Sequence, residues 1–240
     1  MGNEQKVNGN VILTGGSKGI GKAIAEKFAA ARYPVLMCSR TESSLLQAAA
    51  DITNKYPDAI VKTFTADLSD VQQVTAFADW CLQHGAPAIL VNNAGSYLPG
   101  NASDEGEGNL QAMMETNFYS AYHLTCQLLP AMKTARNGHI FNMCSIASLH
   151  AYEGGGSYSI SKFALNGFSQ NLRHELKKSG IKVTAVFPGA VMTDSWAGFD
   201  NSERRIMEAE DIATMVFAAA QLSPQAVVEE IVLRPQLGDM

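Results

Sequence analysis

An α/β domain with a parallel sheet and helices on both of its faces is predicted by three observations on the 240-residue sequence. Short apolar runs of strand length alternate with longer amphipathic stretches of helical period. The first run leads at once into a glycine-rich turn and a helical pattern. No Pro/Ser-rich linker or charge block divides the chain. Alternation of this kind joins parallel strands by crossover helices, which cover the sheet on both sides. The length suits one large domain, so residues 1–240 are read as a single doubly wound unit of the Rossmann type.

The first strand is Asn10 to Leu13, and Thr14-Gly15-Gly16-Ser17-Lys18-Gly19-Ile20-Gly21 follows it. A helix then carries Ile20, Ile24 and Phe28 on its apolar side and Lys22, Glu26 and Lys27 on its polar side. Glycine permits positive φ and lets backbone N–H groups approach a pyrophosphate, and a helix N-terminus adds partial positive charge. Gly15, Ser17, Lys18, Gly19, Ile20 and Gly21 therefore suit a dinucleotide. Pro34 to Ser39 is the second strand, ending in Cys38-Ser39-Arg40. A site for NAD keeps a carboxylate there for the ribose 2′-hydroxyl. This chain has none, and Arg40 with Lys18 can pair with a 2′-phosphate, which makes NADP(H) the expected cofactor.

Thr41 to Tyr56 reads as a helix, and Ala59 to Ala66 as a third strand ending at Asp67-Leu68. The carboxylate suits the adenine amino group and Leu68 the ring. Asp67 suits the cap of the next helix equally well, since Asp70 and Val71 open that pattern. The fourth strand, Ala88 to Val91, runs into Asn92-Asn93-Ala94-Gly95. Small residues with polar amides fit a turn whose backbone lies against a cofactor, with Asn92, Ala94 and Gly95 as its contacts.

The chemistry is placed between Ser145 and Lys162. Tyr158 and Lys162 are four apart, so on a helix they share a face and an ammonium can sit beside a phenol. Lowering a tyrosine pKa from about 10 to roughly 7 takes about 4 kcal/mol of preference for the charged form, within reach of one close cation. Tyr158 is then a general acid near neutral pH. Ser145 offers a hydroxyl to a carbonyl oxygen as charge develops on it. A Tyr with Lys at i+4 is weak by itself in a chain with 7 Tyr, and it gains weight from the nucleotide signals upstream.

Composition narrows the partners. A net charge of −5 speaks against nucleic-acid binding, and no apolar run approaches the roughly 18 residues of a membrane span. Met1 to Asn10 is polar and fits neither a secretion signal nor, with Gly2 and Lys6, a myristoylation pattern, so a soluble cytoplasmic protein is expected. Cys38, Cys81, Cys126 and Cys144 share no CxxC spacing and read as buried free thiols, and the five histidines form no ligand cluster, so no metal is expected.

With these residues in view, the sequence resembles the classical short-chain dehydrogenase/reductase family over nearly its whole length. The resemblance rests on TGxxxGxG at Thr14 to Gly21, NNAG at Asn92 to Gly95, a serine thirteen residues before the tyrosine, Tyr158-x-x-x-Lys162, and Pro188-Gly189. It implies a seven-stranded parallel sheet in the order 3-2-1-4-5-6-7, with Gly138 to Ser145, Ile181 to Phe187 and Val227 to Leu233 as strands five to seven. It implies a catalytic Asn117 that kinks its helix and holds a water linking the lysine to solvent. Ser145 polarises the carbonyl, Tyr158 donates the proton, and Lys162 lowers the tyrosine pKa and holds the nicotinamide ribose. Pro188, Gly189, Val191 and Thr193 join the cofactor contacts, Thr193 at the carboxamide. Two helices, Leu110 to Ala135 and Ser157 to Ser179, imply a homodimer or homotetramer.

Residues 190–207 are expected to form a substrate lid in which Trp196 and Phe199 cap the substrate or anchor the loop. Tyr97, Tyr152 and His150 are further pocket candidates. The implied activity is NADPH-dependent reduction of a small-molecule ketone or aldehyde. The C-terminal stretch and Pro188 to Trp196 resemble bacterial members of the sepiapterin-reductase type, for which Asp194 or Asp200 would supply a carboxylate to a pterin ring. A 3-oxoacyl-thioester reductase, with Arg204-Arg205 as its basic patch, is the alternative, and a non-catalytic dinucleotide-binding protein is the alternative of another class.

Overall fold

Alternation along the first strand sets up a sheet buried on both sides. In β1 (Asn10–Thr14), Val11 and Leu13 enter one core cluster and Ile12 the other, and all three are fully buried. The same division continues through β2 (Val35–Ser39), β4 (Pro87–Asn92) and β5 (Gly138–Met143). Strands buried on both faces read as continuous apolar runs, which is why these were plain in the sequence. The computed structural model describes residues 9–196 and 198–239, so most of the polar opening segment lies outside it.

With β3 (Val61–Thr65), β6 (Ile181–Pro188) and β7 (Glu230–Leu233), the strands form one parallel sheet in the order β3-β2-β1-β4-β5-β6-β7. The first core cluster lies under α1 (Gly19–Ala30), α2 (Glu42–Lys55) and α7 (Ala209–Ala220). The second lies under α3 (Val71–Gln83), α5 (Ser120–Ala135) and α6 (Gly156–Leu176). Because β1 sits between β2 and β4, the chain leaves β1 and β4 towards opposite faces. That reversal opens a crevice beyond the C-terminal ends of the strands.

The expected helix from Leu110 to Ala135 is instead α4 (Asn109–Met114), a π-helical turn at Glu115–Tyr119, and α5. The fifth strand stops at Met143, which leaves Ser145 beyond its end, and α6 stops at Leu176 with a 3-10 turn completing the stretch to Ser179. The last strand begins at Glu230, opposite Ala185 of β6, and not at Val227. Sequence reading passed over α7, whose start is a capping box between Glu208 and Asp211, although parallel pairing of β6 and β7 demands a crossover. The cap of α3 is Asp70, whose carboxylate accepts from Gln72 N–H, and not Asp67. Cysteines 38, 81 and 144 are buried and free as expected, whereas Cys126 is free but exposed, because it lies on the outer face of amphipathic α5. No helix among the described residues is long and apolar enough to cross a membrane.

One buried titratable group gives the fold a pH signature. The Thr184 hydroxyl donates to Val228 O, so it can only accept from His139, whose Nε2 lies 2.7 Å away. The neutral tautomer is thereby fixed with the unprotonated Nδ1 buried and unpartnered. Burial, reinforced by Lys182, pushes the imidazole down to about 3. The unfolded chain takes up this proton near pH 6.5 and the folded chain does not, so stability falls as pH drops from 6.5 towards 3. Between pH 6.5 and 5 the loss should be about 2 kcal/mol. Urea titrations at the two pH values should show it, and His139→Gln should remove most of the difference.

Candidate active site

The chain leaves β1 through Gly15 (φ 70°) and Gly19 (φ 52°). A Cβ on Gly15 would lie 2.9 Å from Asn93 Nδ2, and one on Gly21 would lie 2.6 Å from that atom and against the Gly15 carbonyl. Glycine is thus required by the packing of the turn itself. Asn93 Nδ2 donates to Thr14 O (2.9 Å) and Gly15 O (3.2 Å), and Thr14 Oγ1 accepts from the N–H groups of Asn93 and Ala94, both at 2.9 Å. These bonds tie the β4 turn to the glycine turn across the crevice. Neither Asn93 nor Thr14 was singled out as a site residue from sequence, although both sit inside the motifs.

Asn92 behaves differently from its neighbour. Its side chain is buried and donates to Asn142 Oδ1 (2.8 Å) and Thr125 Oγ1 (3.0 Å), so it is turned into the interior and away from the crevice. Only main chain at this position can face a ligand. The N-terminus of α1, by contrast, has neither a side-chain cap nor an acidic residue in its first turn. Its leading N–H groups and partial positive charge, with glycines below them and half-buried Ser17 and Ile20 beside them, fit a pyrophosphate.

At the far end of this cradle Arg40 is exposed just beyond β2. Lys18 is ion-paired with Asp194 of the 190–207 loop, an engagement the sequence did not foretell. Asp67 Oδ1 accepts from the N–H (3.0 Å) and hydroxyl (2.8 Å) of Ser69. Leu68 is 6% exposed and belongs to the core, which corrects its expected place under an adenine ring. At Gly189 and Val191 it is main chain, and not side chain, that a cofactor would contact. A Cβ on Gly189 would meet Asp239 and Pro235, both at 3.2 Å, so its smallness serves the C-terminal segment, while the Val191 side chain is in the core. Pro188 closes β6 opposite Leu233. Thr193 does reach the cradle, with its methyl 3.0 Å from where a Gly19 Cβ would stand.

The expected catalytic residues converge beyond β4 and β5. Asn117 lies in the π turn with its side chain 1% exposed. Its Oδ1 accepts from Ser96 N–H (2.7 Å), and its Nδ2 donates to Ser96 O (3.0 Å) and Ser161 Oγ (2.9 Å). A π turn bulges the helix outward, which is how this side chain reaches a loop next to the crevice. The Ser161 hydroxyl in turn donates to Tyr158 O at 2.7 Å, a link that sequence reading missed. Gly95 fits between these groups, since a Cβ there would be 3.2 Å from Asn117 Oδ1 and 3.5 Å from Lys162 Nζ. Ser145 is extended and begins a 3-10 turn in which its Oγ accepts from Ala147 N–H at 3.2 Å.

Tyr158 and Lys162 occupy the first two turns of α6. Burial raises the Tyr158 phenol, the Ser145 hydroxyl within hydrogen-bonding reach draws it partly back, and Cys144 and Tyr97 add to the rise. Lys162 is 5% exposed, and burial lowers its ammonium to about 8. Its Nζ donates to Met143 O at 2.7 Å and stands 5.8 Å from the centre of the Tyr158 ring. The expected depression of the tyrosine by this lysine is therefore absent in this arrangement. The ammonium is bonded to a carbonyl of β5, and burial is the largest influence on the phenol.

Around Tyr158 the sequence candidates separate. The Tyr97 ring stands edge-on to it at 5.0 Å, and burial raises the Tyr152 phenol, with Tyr97 adding to the rise. Trp196 and Phe199 pack on each other at 5.4 Å. His150 is exposed beyond the 3-10 turn. The loop of residues 190–207 is tied at its base by Met192 N–H to Met207 O (2.8 Å) and Met207 N–H to Ala190 O (3.1 Å).

Comparison with known proteins agrees with this architecture. The short chain dehydrogenase family matches residues 9–204. A sepiapterin reductase of Chlorobaculum tepidum is 36% identical over 239 residues, covering 96% of this chain and 97% of that protein. An uncharacterized oxidoreductase of Staphylococcus saprophyticus is 32% identical, covering 93% and 96%. Among solved structures, a metagenomic short-chain oxidoreductase in complex with NADP aligns with a TM-score of 0.84 and 30% identity, covering 96% of this chain and 98% of that one. An alcohol dehydrogenase from Thermococcus sibiricus complexed with 5-hydroxy-NADP, at 24% identity and a TM-score of 0.86 over 95% of this chain and 97% of that one, shares the fold. A glycine cradle, an NNAG turn bonded to it and a Ser-Tyr-Lys set in one crevice, on a sheet of this order and with these relatives, mean that the chain belongs to the short-chain dehydrogenase family of oxidoreductases.

Proposed function

We propose that the protein is an NADPH-dependent carbonyl reductase acting on small or aromatic-ring ketones and aldehydes. The observation that carries this reading is the convergence of Ser145, Tyr158 and Lys162 within one crevice that also holds the glycine cradle. NADPH, when bound, supplies the hydride. Ser145 orients the carbonyl oxygen and donates a hydrogen bond to it as charge grows there. Tyr158 holds the proton at its phenolic oxygen and gives it to that same oxygen. A phenol raised by burial is protonated throughout the physiological range, which suits a donor in the reducing direction. Lys162 keeps a positive charge below the phenol up to about pH 8. Asn117 fixes the Ser96 backbone and, through Ser161, the turn that carries Tyr158.

Preference for the 2′-phosphate rests on exposed Arg40 and the absence of an acid at Ser39, with Lys18 exchanging Asp194 for the phosphate. The 30% identical short-chain oxidoreductase solved in complex with NADP supports the same choice. Residues 190–207 act as the lid, reaching the cradle through Thr193 and Asp194. For the substrate, the edge-on Tyr97 and Tyr158 pair with adjacent Tyr152 offers an aromatic wall, and the relative named sepiapterin reductase points to the same class. Neither proposed pterin carboxylate is idle, since Asp194 pairs with Lys18 and Asp200 accepts from Ser202 N–H. The basic patch for an acyl carrier is weaker still, because Arg205 donates to the carbonyls of Gly238 (3.0 Å) and Asp239 (3.2 Å). Exposed Tyr119 and Tyr122 on the outer side of the π turn and α5, with Ile160 and Phe163 on α6, support a homodimer or tetramer.

Tyr158→Phe should lower kcat by about 100-fold or more while NADPH still binds. A variant that reduces carbonyls at the parent rate would mean a different proton donor, and parent and variant both inactive across sepiapterin, an aromatic diketone and acetoacetyl thioester would favour a binding protein. Fluorescence titration should give NADPH about tenfold to a hundredfold tighter than NADH, and Arg40→Ala should shrink that ratio. Lys162→Met separates function from stability. The ammonium's fall from 10.5 to about 8 corresponds to roughly 3 kcal/mol of burial cost at neutral pH. Part of that is offset by the bond to Met143 O, so the variant should lose activity yet melt a few degrees higher.

A further inference from the structure

The helix that carries Tyr158 and Lys162 has no cap of its own. Gly155 stands at its N-cap position and contributes no side-chain bond. The acceptor arrives from the loop between β4 and α4. Glu105 Oε1 accepts from Ser157 N–H at 2.7 Å, and Oε2 accepts from the Ser157 hydroxyl. The same loop holds the preceding turn twice more, through Gly154 N–H to Asn101 Oδ1 (2.8 Å) and Gly100 N–H to Gly154 O (3.1 Å). Gly156 makes room for this contact. Its φ is +24°, and a Cβ on it would stand on the Glu105 carboxylate and 2.5 Å from Gly100 O.

We propose that Glu105 is a positioning residue, whose carboxylate clamps residues 96–108 onto the first turn of α6 and so fixes both Tyr158 and the Tyr97 ring beside it. The proposal rests on the reading of Tyr158 as the proton donor. The physical case starts with Ser157, which is 3% exposed and directly precedes Tyr158. Both of its donors are buried, and buried donors without an acceptor are costly enough to be rare. An anion at the N-terminus of a 21-residue helix is favoured by the helix dipole as well. Without Glu105 the first turn has no acceptor for Ser157, frays, and carries Tyr158 out of reach of Ser145. The loop that presents Tyr97 loses its anchor in the same event.

Three variants test this in the NADPH-loaded enzyme. Glu105→Gln keeps an acceptor for Ser157 N–H. Glu105→Ala removes it. Gly156→Ala leaves the carboxylate in the chain but occupies its seat. Hydrogen exchange by mass spectrometry over residues 154–160 reads the clamp without any carbonyl substrate. Exchange should quicken about tenfold or more in Glu105→Ala and Gly156→Ala and stay near the parent in Glu105→Gln. With whichever carbonyl the panel identifies, kcat should fall about tenfold or more in Glu105→Ala and Gly156→Ala and by about threefold or less in Glu105→Gln, while the Kd for NADPH holds. Should Glu105→Ala fail to fold, Ser157→Ala, which loses one of the two bonds, should give intermediate exchange and kcat. Parent-like exchange in Glu105→Ala would overturn the proposal, as would Glu105→Gln proving as damaging as Glu105→Ala. Because exchange needs no turnover, the clamp can stand or fall separately from the role of Tyr158.

Discussion

The hydroxyl of Thr14 does more to define this crevice than any residue expected to do chemistry. It lies at the end of β1, accepts from the backbone of Asn93 and Ala94, and is within 3.4 Å of Val91 O. The Asn93 amide returns the connection to the backbone of Thr14 and Gly15. Two strand ends that would diverge at the point of sheet reversal are thereby held together. The glycine cradle belongs to one and the loop leading to Asn117 and Tyr97 to the other, so every distance between the cradle and Tyr158 refers to this junction. The sheet, the more rigid element, places these side chains.

A second layer of bonds carries that geometry to Tyr158 and its neighbours. Asn117 uses both ends of its amide on Ser96 and then reaches Ser161, which holds the Tyr158 carbonyl. Further in, Asn92, Asn142, Ser169 and the Leu165 carbonyl form a buried chain from β4 through β5 to α6. Each bond in this chain restricts its neighbour's orientation, although Asn92 Oδ1 is itself buried without a partner. The site is thus held by buried bonds on the side of α5 and α6, whereas the described residues of the 190–207 loop meet the cradle through the Thr193 methyl and an exposed ion pair. An exposed pair of that kind contributes little by itself.

Much of this was legible from residues alone, for reasons that differ by element. Buried parallel strands such as Val11 to Leu13 and Ile89 to Val91 announce themselves as apolar runs, and the sheet order followed from the family the motifs resemble. The helix α7 was passed over although Ala209, Ile212, Ala213 and Val216 recur at helical spacing along its buried face. Residue roles were least legible where they depend on which way a side chain turns. Asn92 and Asn93 are adjacent, yet one faces the interior and the other the crevice, a difference no local pattern encodes. Lys162 sits one turn from Tyr158 as predicted, but burial and the Met143 carbonyl determine what the spacing does to the phenol. Glu105 meets Ser157 across 52 residues of chain, and nothing local to either residue signals the meeting.

The π turn at Glu115–Tyr119 has a bearing on how this gene can change. Such a turn is an α-helix holding one surplus residue. Deleting a single codon within it would restore an unbroken α-helix, and each residue of an α-helix advances the face by about 100°. Met113, which is buried, and the side chains of α5 that pack on β4 and β5 could then no longer face the interior together. Most surface helices absorb the loss of a codon near one end with local repair. Here the reading frame of the helix is itself fixed by the side chain it must deliver, so length in this short stretch is conserved by geometry before any question of residue identity arises.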